Sequence, residues 1–454
     1  MAMDAQARGM AREADGQGAA SRPSDAAEGN APMAGGAEPV GPSSVADDAA
    51  MLARLTADRR ALHRAPEIGL DLPHTCAYVE GRLAGLGAVV EHPLPSCVTA
   101  LFDVGAPATV AFRCDMDALP VTEATGRDFA SATPGVMHAC GHDGHTATML
   151  ELARQVSAAR AAGGRLPHNV LLVFQPGEEH PGGARLVCET GLLERHHVGC
   201  VFGLHLWPDL AAGEVRTRPG AFLARASEMN VEVEGVSAHA AHQEAGVDAL
   251  APAARLALAI GEVAPAERSL GNPCVVNMGR MEAGTVRNAV AGSARIEGTV
   301  RTFEPASWER VRTKIGAIVA AEAETSQAKA TVDFDEGYPA VINDQALTGR
   351  VLADVTGVGL EPEPSMIADD FSFYEQRVPG TYFFLGTGNP AHGLHSDGFD
   401  FDEHVLLAGV GLFRQLATMD WTAQMRVAGS VDAAGLDATP ATPGAPVPTP
   451  HKEA

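Results

Sequence analysis

Short apolar runs alternate with helical stretches along most of this chain. Three of the runs predict strands, namely TVAFR (109–113), NVLLVF (169–174) and VGCVFGL (198–204). The segment from Thr146 to about Ala162 predicts a helix between the first two of them. Strands that alternate with helices are typical of βαβ units and a largely parallel sheet. The sequence therefore predicts an α/β fold, with ligands bound at the carboxyl ends of the strands.

A different order of elements runs from about 223 to 334. A strand, EMNVEVEG, precedes a helix over about 247–263, and two strands follow around CVVNMGRM and SARIEGTVR. A second helix over about 305–328 carries one apolar face, and the strand TVDFDEG closes the set. The order β-α-β-β-α-β predicts a ferredoxin-like unit. Because TYFFLG (381–386) resumes the first pattern, this unit is expected to be inserted into a larger domain.

The domain boundaries follow from these patterns and from the 454-residue length, which is long for one domain. We expect disordered tails over 1–45 and 426–454, which are rich in Ala, Gly, Ser and Pro. The larger domain is then formed by 46–222 and 335–425, and the inserted domain by 223–334.

Charge and cysteine usage exclude several classes of protein. The net charge of -24 argues against nucleic acid or an anionic membrane surface as a partner. The odd count of 7 cysteines, scattered along the chain, does not resemble a disulfide framework. Neither a signal peptide nor a stretch that would span a bilayer is evident. We therefore expect a soluble, cytoplasmic protein.

Two segments bring together residue types that bind metals or transfer protons. HACGHDGH (138–145) supplies Cys140 and His142, which are good ligands for a divalent transition metal. Taken alone, the segment fits a polar loop with a buried cysteine equally well. QPGEEHPGGA (175–184) supplies Glu178 and Glu179, of which one can bind metal while the other acts as a general base. A solvated acidic turn would look the same.

His205 and His395 follow other apolar strands, and the combination of segments is more informative than any one of them. Strand ends of an open α/β sheet converge on one crevice. The candidate ligands are Cys140, His142, Glu179, His205 and His395. Five ligands exceed the needs of one tetrahedral ion and suit two ions about 3.5–4 Å apart that share a ligand. RCDMDALP (113–120) supplies Asp115 and Asp117, carboxylates of the kind that orient a metal-bound histidine, with an Asx turn ending at Pro120 as the alternative for Asp117.

Several motifs together resemble the peptidase M20 family, in particular its amidohydrolase branch with the hippurate hydrolases and the indole-acetyl-amino-acid hydrolases. The likeness spans about residues 48–422. The motifs occur in the family's order: RCDMDALP, MHACGHDGHT, QPGEE, GLHLWP, GTVRN, GTVRTF, ADDFSF and LHSDGFDFDE. The resemblance implies a metallopeptidase-type catalytic domain with an inserted lid and dimerisation domain, and a homodimer formed through that lid.

The resemblance also implies a role for each matching residue. The five candidate ligands match the family's metal ligands, Glu178 matches its general base, and Asp115 matches the acidic residue behind the metal centre. His239, in GVSAHAAH, matches a histidine that reaches a reaction centre, usually that of the partner subunit. Asn288 and Arg301 match lid positions that hold the substrate carboxylate.

The function expected from the resemblance is hydrolysis of the amide bond of N-acylated amino acids or related small amides. A water activated by two divalent ions, Mn or Zn with Co or Ni as further options, would attack the carbonyl while Glu178 takes its proton. The chain departs from the family pattern around His242 and over NAVA (288–291), and Asp369 replaces a usual Glu. These changes remove neither a ligand nor the base, but they bear on which substrate is bound.

Three alternatives stay open at this point. A dipeptidase or carboxypeptidase of the same family would hydrolyse a similar bond. A thiol amidase would use Cys140 as nucleophile and His142 or His145 as its base, which leaves the other ligand candidates unexplained. A metal-dependent binding or regulatory protein would keep the fold without the reaction, but it would have no need of Glu178.

Overall fold

The computed structural model describes residues 45–429. The tail predicted over 1–45 therefore lies outside the described residues, apart from the first residue of a helix, as does the end of the chain from 430. The backbone N–H groups of Arg426 and Ala428 donate to Gly199 and Val198, so ordered chain continues beyond the expected boundary at 425.

The elements before the predicted insertion are α1 (Val45–Arg64), α2 (Pro73–Leu83), β1 (Val89–Glu91), β2 (Val98–Phe102), β3 (Thr109–Asp115), α3 (His142–Ala161), β4 (Asn169–Gln175), α4 (Gly183–Glu189), α5 (Leu192–Arg195), β5 (Val198–Trp207), β6 (Val215–Thr217) and β7 (Gly220–Leu223). Within it lie β8 (Arg225–Glu234), α6 (Leu250–Gly261), α7 (Val263–Ser269), β9 (Val275–Ala283), β10 (Ser293–Thr302), α8 (Pro305–Ser326) and β11 (Lys329–Phe334). The chain then forms β12 (Val341–Asn343), α9 (Gln345–Asp354), β13 (Val358–Leu360), α10 (Ser372–Glu375), β14 (Gly380–Gly386) and α11 (Leu406–Thr418).

The central sheet has eight strands in the order β1-β2-β4-β3-β5-β14-β6-β13. The pairs at its centre, β4–β3, β3–β5 and β5–β14, are parallel, and antiparallel pairs lie towards both edges. The predicted α/β fold with a largely parallel sheet is thus confirmed. A separate pair, β7 with β12, is antiparallel.

Both faces of the central sheet are covered, which explains why its strands are apolar throughout. Successive residues of a strand point to opposite faces of the sheet and join different hydrophobic cores. In β3, Phe112 belongs to the core on the first face and Ala111 to the core on the second. Residues of α1, α2, α3, α9 and α11 pack on the first face, and residues of α4, α5 and α10 on the second.

Two elements differ in length from the prediction, and both carry candidate ligands. Strand β5 continues to Trp207, because its register with the parallel strand β14 runs from Val201 to Trp207. His205 therefore lies within the strand, not beyond its end. Helix α3 begins at His142, four residues before the predicted start, so this histidine occupies the first turn of the helix.

The inserted segment forms a four-stranded antiparallel sheet in the order β11-β8-β10-β9. Its core includes Trp308, Val311 and Ile315 of α8, which face the sheet as the spacing predicts. The helix predicted over about 247–263 is α6, which ends at Gly261, and a second short helix, α7, follows it. Pro265 lacks a backbone N–H, and its ring would collide with the carbonyl of Gly261 in a continuous helix.

Candidate metal centre

The candidate ligands meet at the carboxyl ends of the central parallel strands. Asp115 ends β3, Glu178 and Glu179 follow the end of β4, and His205 is near the end of β5. The thiol of Cys140 lies 3.3 Å from Nε2 of His205. This is the edge at which an open α/β sheet binds its ligands.

Gly141 brings the start of α3 against β5. Its φ of +88° is in the left-handed region, and a Cβ atom there would lie 2.8 Å from Cδ1 of Leu206. Only glycine meets both demands without strain. Cys140 and His142, on either side of this glycine, are thereby placed beside His205.

Two overlapping groups of ligand atoms result. Those of Cys140, His142 and His205 all lie within 4.8 Å of one another, as do those of Cys140, Glu179 and His395. Cys140 belongs to both groups, and a thiolate can bridge two ions. The five predicted ligands are thus brought together in the pattern that two ions with one shared ligand require.

The tautomers of two histidines leave ligand atoms free. Nδ1 of His142 is 2.8 Å from the carbonyl oxygen of Asp117, and Nδ1 of His205 is 2.7 Å from that of Leu206. A carbonyl oxygen only accepts, so both Nδ1 atoms donate, and the Nε2 atoms are the ones at which a metal ion would take the place of a proton. Nε2 of His142 is buried and has no hydrogen-bond partner within the described structure.

The charges around the site favour a cation. Burial lowers the pKa of His142, but the carboxylates of Asp115, Asp117 and Glu179 outweigh it and raise that pKa to about 10. Burial and the charges of Glu179 and Glu178 raise the pKa of the Cys140 thiol well above its usual value. A divalent ion would satisfy the carboxylates, the orphaned Nε2 and the thiol together, so the donor set fits a metal.

His395 completes the second group from a loop. Its Nε2 lies 3.2 Å from Oε1 of Glu179, and its side chain is 53% exposed. Its backbone N–H donates to Ala139 at 2.8 Å, and its φ of +65° is unusual for a residue other than glycine. Such backbone strain is often found where a side chain must reach a functional site.

His145 has both ring nitrogens engaged and is not placed to bind metal. Its Nε2 accepts the backbone N–H of Leu206 at 2.9 Å, which puts the proton on Nδ1. Nδ1 then donates to Oδ1 of Asp115 at 2.6 Å. Asp115 thus lies behind the ligands, with Oδ1 3.8 Å from Nε2 of His142.

A fully buried arginine anchors Asp115 from the far side. Nη1 of Arg113 donates to Asp115 at 2.7 Å, Nη2 to Asp370 at 2.5 Å, and Nε to Gln175 at 2.9 Å. Our sequence reasoning missed Arg113, although a charged residue inside an apolar strand signals a buried polar network.

Asp117 binds the turn that carries Glu178 and Glu179, a role beyond the Asx turn that the sequence offers as its alternative. The residue is buried, and its two carboxylate oxygens accept the backbone N–H groups of Glu178 (3.0 Å) and Glu179 (3.2 Å). Its carbonyl also holds His142. One residue therefore orients the predicted base and two predicted ligands, and sequence spacing carries no signal of this.

Glu178 is placed as a general base requires. It is 6% exposed, and its Oε2 lies 3.9 Å from Nε2 of His142. Burial, together with the charges of Asp369, Glu179 and Asp370, raises the pKa of its carboxyl well above the usual value. A carboxylate of raised pKa is a stronger proton acceptor, and the acid it forms can return the proton.

Comparison with known proteins settles the family. The model of peptidase family M20/M25/M40 matches residues 111–419, which include all of the residues above. The chain belongs to this peptidase family.

Relatives of this M20 protein extend over most of its length. An uncharacterized hydrolase of Staphylococcus haemolyticus is 34% identical over 371 residues, 80% of this chain and 97% of the relative. The IAA-amino acid hydrolase ILR1-like 4 of Arabidopsis thaliana is 33% identical over 374 residues, 79% and 84% of the two chains. This M20 chain is thus a hydrolase related to enzymes named for amino acid conjugates.

A solved structure supports the interpretation of these ligand groups as a metal centre. The YXEP protein of Bacillus subtilis, described as a dinuclear metal-binding peptidase of family M20, superposes with a TM-score of 0.71. It is 29% identical, and the match covers 82% of this chain and 98% of that one. The overlapping ligand groups of the M20 chain are consistent with such a centre.

His239, Asn288 and Arg301 all lie in the inserted segment. His239 and Asn288 are exposed, and their segments pair through a bridge between His239 and Ala289. Arg301 lies on β10, where its guanidinium contacts Thr299. Within residues 45–429, no hydrogen bond or ion pair joins any of the three to a candidate ligand. Their roles stay predictions.

Cysteine and hydropathy observations complete the picture of this M20 protein. All seven cysteines are buried and unpaired. In the part of the chain that the structure describes, no helix combines the length and the hydropathy that a membrane span needs.

Proposed function

We propose that this M20 hydrolase cleaves the amide bond of N-acylated amino acids or related small amides and releases a carboxylic acid and an amino acid. The position of Glu178 carries the proposal, because a buried carboxyl of raised pKa adjoins two overlapping ligand groups. The kinship to IAA-amino acid hydrolases supports this substrate class.

Cys140, His142, Glu179, His205 and His395 would hold the two ions, with Cys140 shared between them. The ions, for which we propose Mn or Zn, would supply Lewis acidity towards the amide carbonyl and the attacking water. Glu178 takes the proton of that water and delivers it to the leaving nitrogen, so it begins and ends the reaction as a carboxylate.

The surroundings of Cys140 speak against the thiol amidase. A nucleophilic cysteine needs an electropositive environment that stabilises its thiolate. Here burial and neighbouring carboxylates raise the pKa of the thiol, so the thiolate forms only with a cation beside it. The thiol is thus suited to be a ligand.

The inserted domain would recognise the substrate. We propose that Arg301 and Asn288 bind the substrate carboxylate and that His239 donates to the carbonyl oxygen, as the family resemblance implies. The exposure of His239 and Asn288 is compatible with a site completed in a homodimer formed through this domain. A cytoplasmic location is part of the proposal.

The test is hydrolysis of acetyl-, benzoyl- and indole-acetyl-amino acids and of dipeptides by protein reconstituted with Mn or Zn, with and without EDTA. We expect metal-dependent release of an amino acid from an N-acyl substrate. Glu178→Gln should lower kcat by at least about a thousandfold while the bound metal is unchanged. Turnover of dipeptides alone would favour the dipeptidase, and near-normal activity of the variant would refute the assignment of the base.

A further inference from the structure

Two chain connections join the inserted segment to the rest of the protein, and the second is hydrogen-bonded to the first two residues of β8, which directly follow the first connection. The first passes through Ala224, between β7 and β8, and the second spans residues 335–340, between β11 and β12. The N–H of Ala226 donates to the carbonyl of Tyr338, and the N–H of Tyr338 donates to that of Ala226, each at 3.0 Å. We call this paired region the crossing.

The crossing is tightly packed. Gly337 has a φ of +50°, and a Cβ atom there would lie 1.7 Å from the carbonyl oxygen of Ala226. Nη2 of Arg225 also donates to the carbonyl of Glu336 at 2.6 Å. These contacts tie the start of β8 to the second connection, so a tilt of the inserted segment would act on Tyr338.

The side chain of Tyr338 leaves the crossing and reaches the catalytic turn. Its hydroxyl donates to the carbonyl oxygen of Glu178 at 2.8 Å. Its ring lies against Gly182, where a Cβ atom would come within 2.8 Å of Cε1, and its centroid is 6.3 Å from that of Phe373 in an edge-on arrangement. The ring is therefore held in place, and the hydroxyl with it.

Both peptide groups of Glu178 are thus held by distant side chains. Its N–H is bound by Asp117 and its carbonyl by Tyr338. The first partner follows β3 of the central sheet, and the second lies in the crossing. The direction of the Glu178 side chain therefore depends on both.

We propose that Tyr338 is a positioning residue that ties the placement of Glu178 to the crossing, so that movement of the inserted segment shifts the carboxylate. This rests on the proposed function, which assigns Glu178 as the base. A reacting group displaced by about 1 Å can slow catalysis by about a hundredfold, so one hydrogen bond is enough to matter.

The first test is hydrogen exchange in metal-reconstituted protein. Tyr338→Phe removes one hydroxyl and keeps the ring. Tyr78→Phe is the matched control, because its hydroxyl makes a bond of the same 2.8 Å length to Asp58 on α1. We expect amides of residues 177–183 to exchange at least about five times faster in Tyr338→Phe and to be unchanged in the control. Equal exchange in both would overturn the proposal.

The second test is kinetic. Tyr338→Phe should lower kcat about tenfold with KM and bound metal unchanged, and the control should match the wild type. A wild-type protein without turnover would remove the proposed function, whereas the exchange result would still decide whether Tyr338 holds the turn. A variant with normal kcat would show that Tyr338 does not position the base.

The third test asks whether the crossing acts through this hydroxyl. Gly337→Ala should displace the crossing and lower kcat, and this effect should be largely absent when Tyr338→Phe is already present. Additive effects of the two changes would overturn the coupling. If Gly337→Ala does not fold, Arg225→Lys, which weakens the same crossing, takes its place in the cycle.

Discussion

One oxygen of the Asp117 carboxylate accepts the backbone N–H of Glu178 at 3.0 Å. The other oxygen accepts the next N–H along the chain, that of Glu179, at 3.2 Å. A carboxylate accepts both bonds, whereas an amide offers one oxygen and one NH₂ donor. In Asp117→Asn, the side-chain NH₂ should therefore face one of these backbone N–H groups, and neither can accept a hydrogen bond from the other. We expect this change to lower kcat by about a hundredfold. Steady-state kinetics at saturating metal measure this.

Asp402→Asn is the control for that change. Asp402 also accepts a backbone N–H, that of His404 at 3.0 Å, but its side chain is 69% exposed and far less constrained. We expect kcat and melting temperature of this variant to stay near wild type. If Asp117→Asn behaved in the same way, the turn would not depend on Asp117.

His145→Asn should leave metal stoichiometry unchanged, because both ring nitrogens of His145 are bound to protein groups. Losing this support behind Asp115 should weaken metal binding by about 10–100-fold, which excess metal overcomes. His205→Ala should instead lose bound metal at any practical concentration. Metal analysis after equilibrium dialysis against excess metal compares the two, and loss of a full equivalent in His145→Asn under these conditions would make it a ligand.

The sequence is sufficient for the α/β fold because both faces of the sheet are apolar and because turns separate the runs. It also suggests the side chains that meet, since Glu179 and His205 lie near strand ends that converge and Cys140 lies at the end of the loop that follows β3. What it cannot supply is hydrogen-bond direction. The bond from Asp117 to Glu178 joins residues 61 positions apart, and no local pattern specifies it.

The engagement of His145 illustrates the same limit. On sequence, His142 is a metal candidate, and His142 and His145 are equivalent candidates for a base beside Cys140. Only the packing of α3 on β5 shows that Nε2 of His145 accepts the backbone N–H of Leu206, whereas Nε2 of His142 has no hydrogen-bond partner in the described structure. The separation of α6 from α7, by contrast, has a local signal, since Pro265 would interrupt a helix that continued from α6.

Arg113→Met should destabilise the fold strongly. The change leaves Asp115 and Asp370 buried without their cationic partner, which costs about 3–5 kcal/mol in the free energy of unfolding. Arg255→Met is the control, since this arginine pairs with Glu322 and its side chain is 56% exposed, so we expect the free energy of unfolding to stay close to that of the wild type. Urea denaturation of EDTA-treated proteins measures both, and equal losses would contradict the role of the buried network.

Glu375 should make stability fall as the pH rises. Burial, aided by the charges of Asp344 and Asp369, raises the pKa of its carboxyl to about 8. The hydrogen bond from the N–H of Ile342 lowers this pKa but does not offset the burial. In the unfolded chain the value is about 4.3. Between these values the folded state binds more protons than the unfolded one, so raising the pH removes stability, by up to about 1.4 kcal/mol per pH unit.

Glu375→Gln removes this dependence, because the amide is neutral throughout and its oxygen can still accept the N–H of Ile342. The difference in unfolding free energy between variant and wild type should therefore shift in favour of the variant by on the order of 2 kcal/mol from pH 6 to pH 8. Glu309→Gln, at a side chain that is 56% exposed, should show no such shift. Urea denaturation across this range decides, since a parallel pH dependence of wild type and Glu375→Gln would mean that Glu375 is ionised in the folded protein.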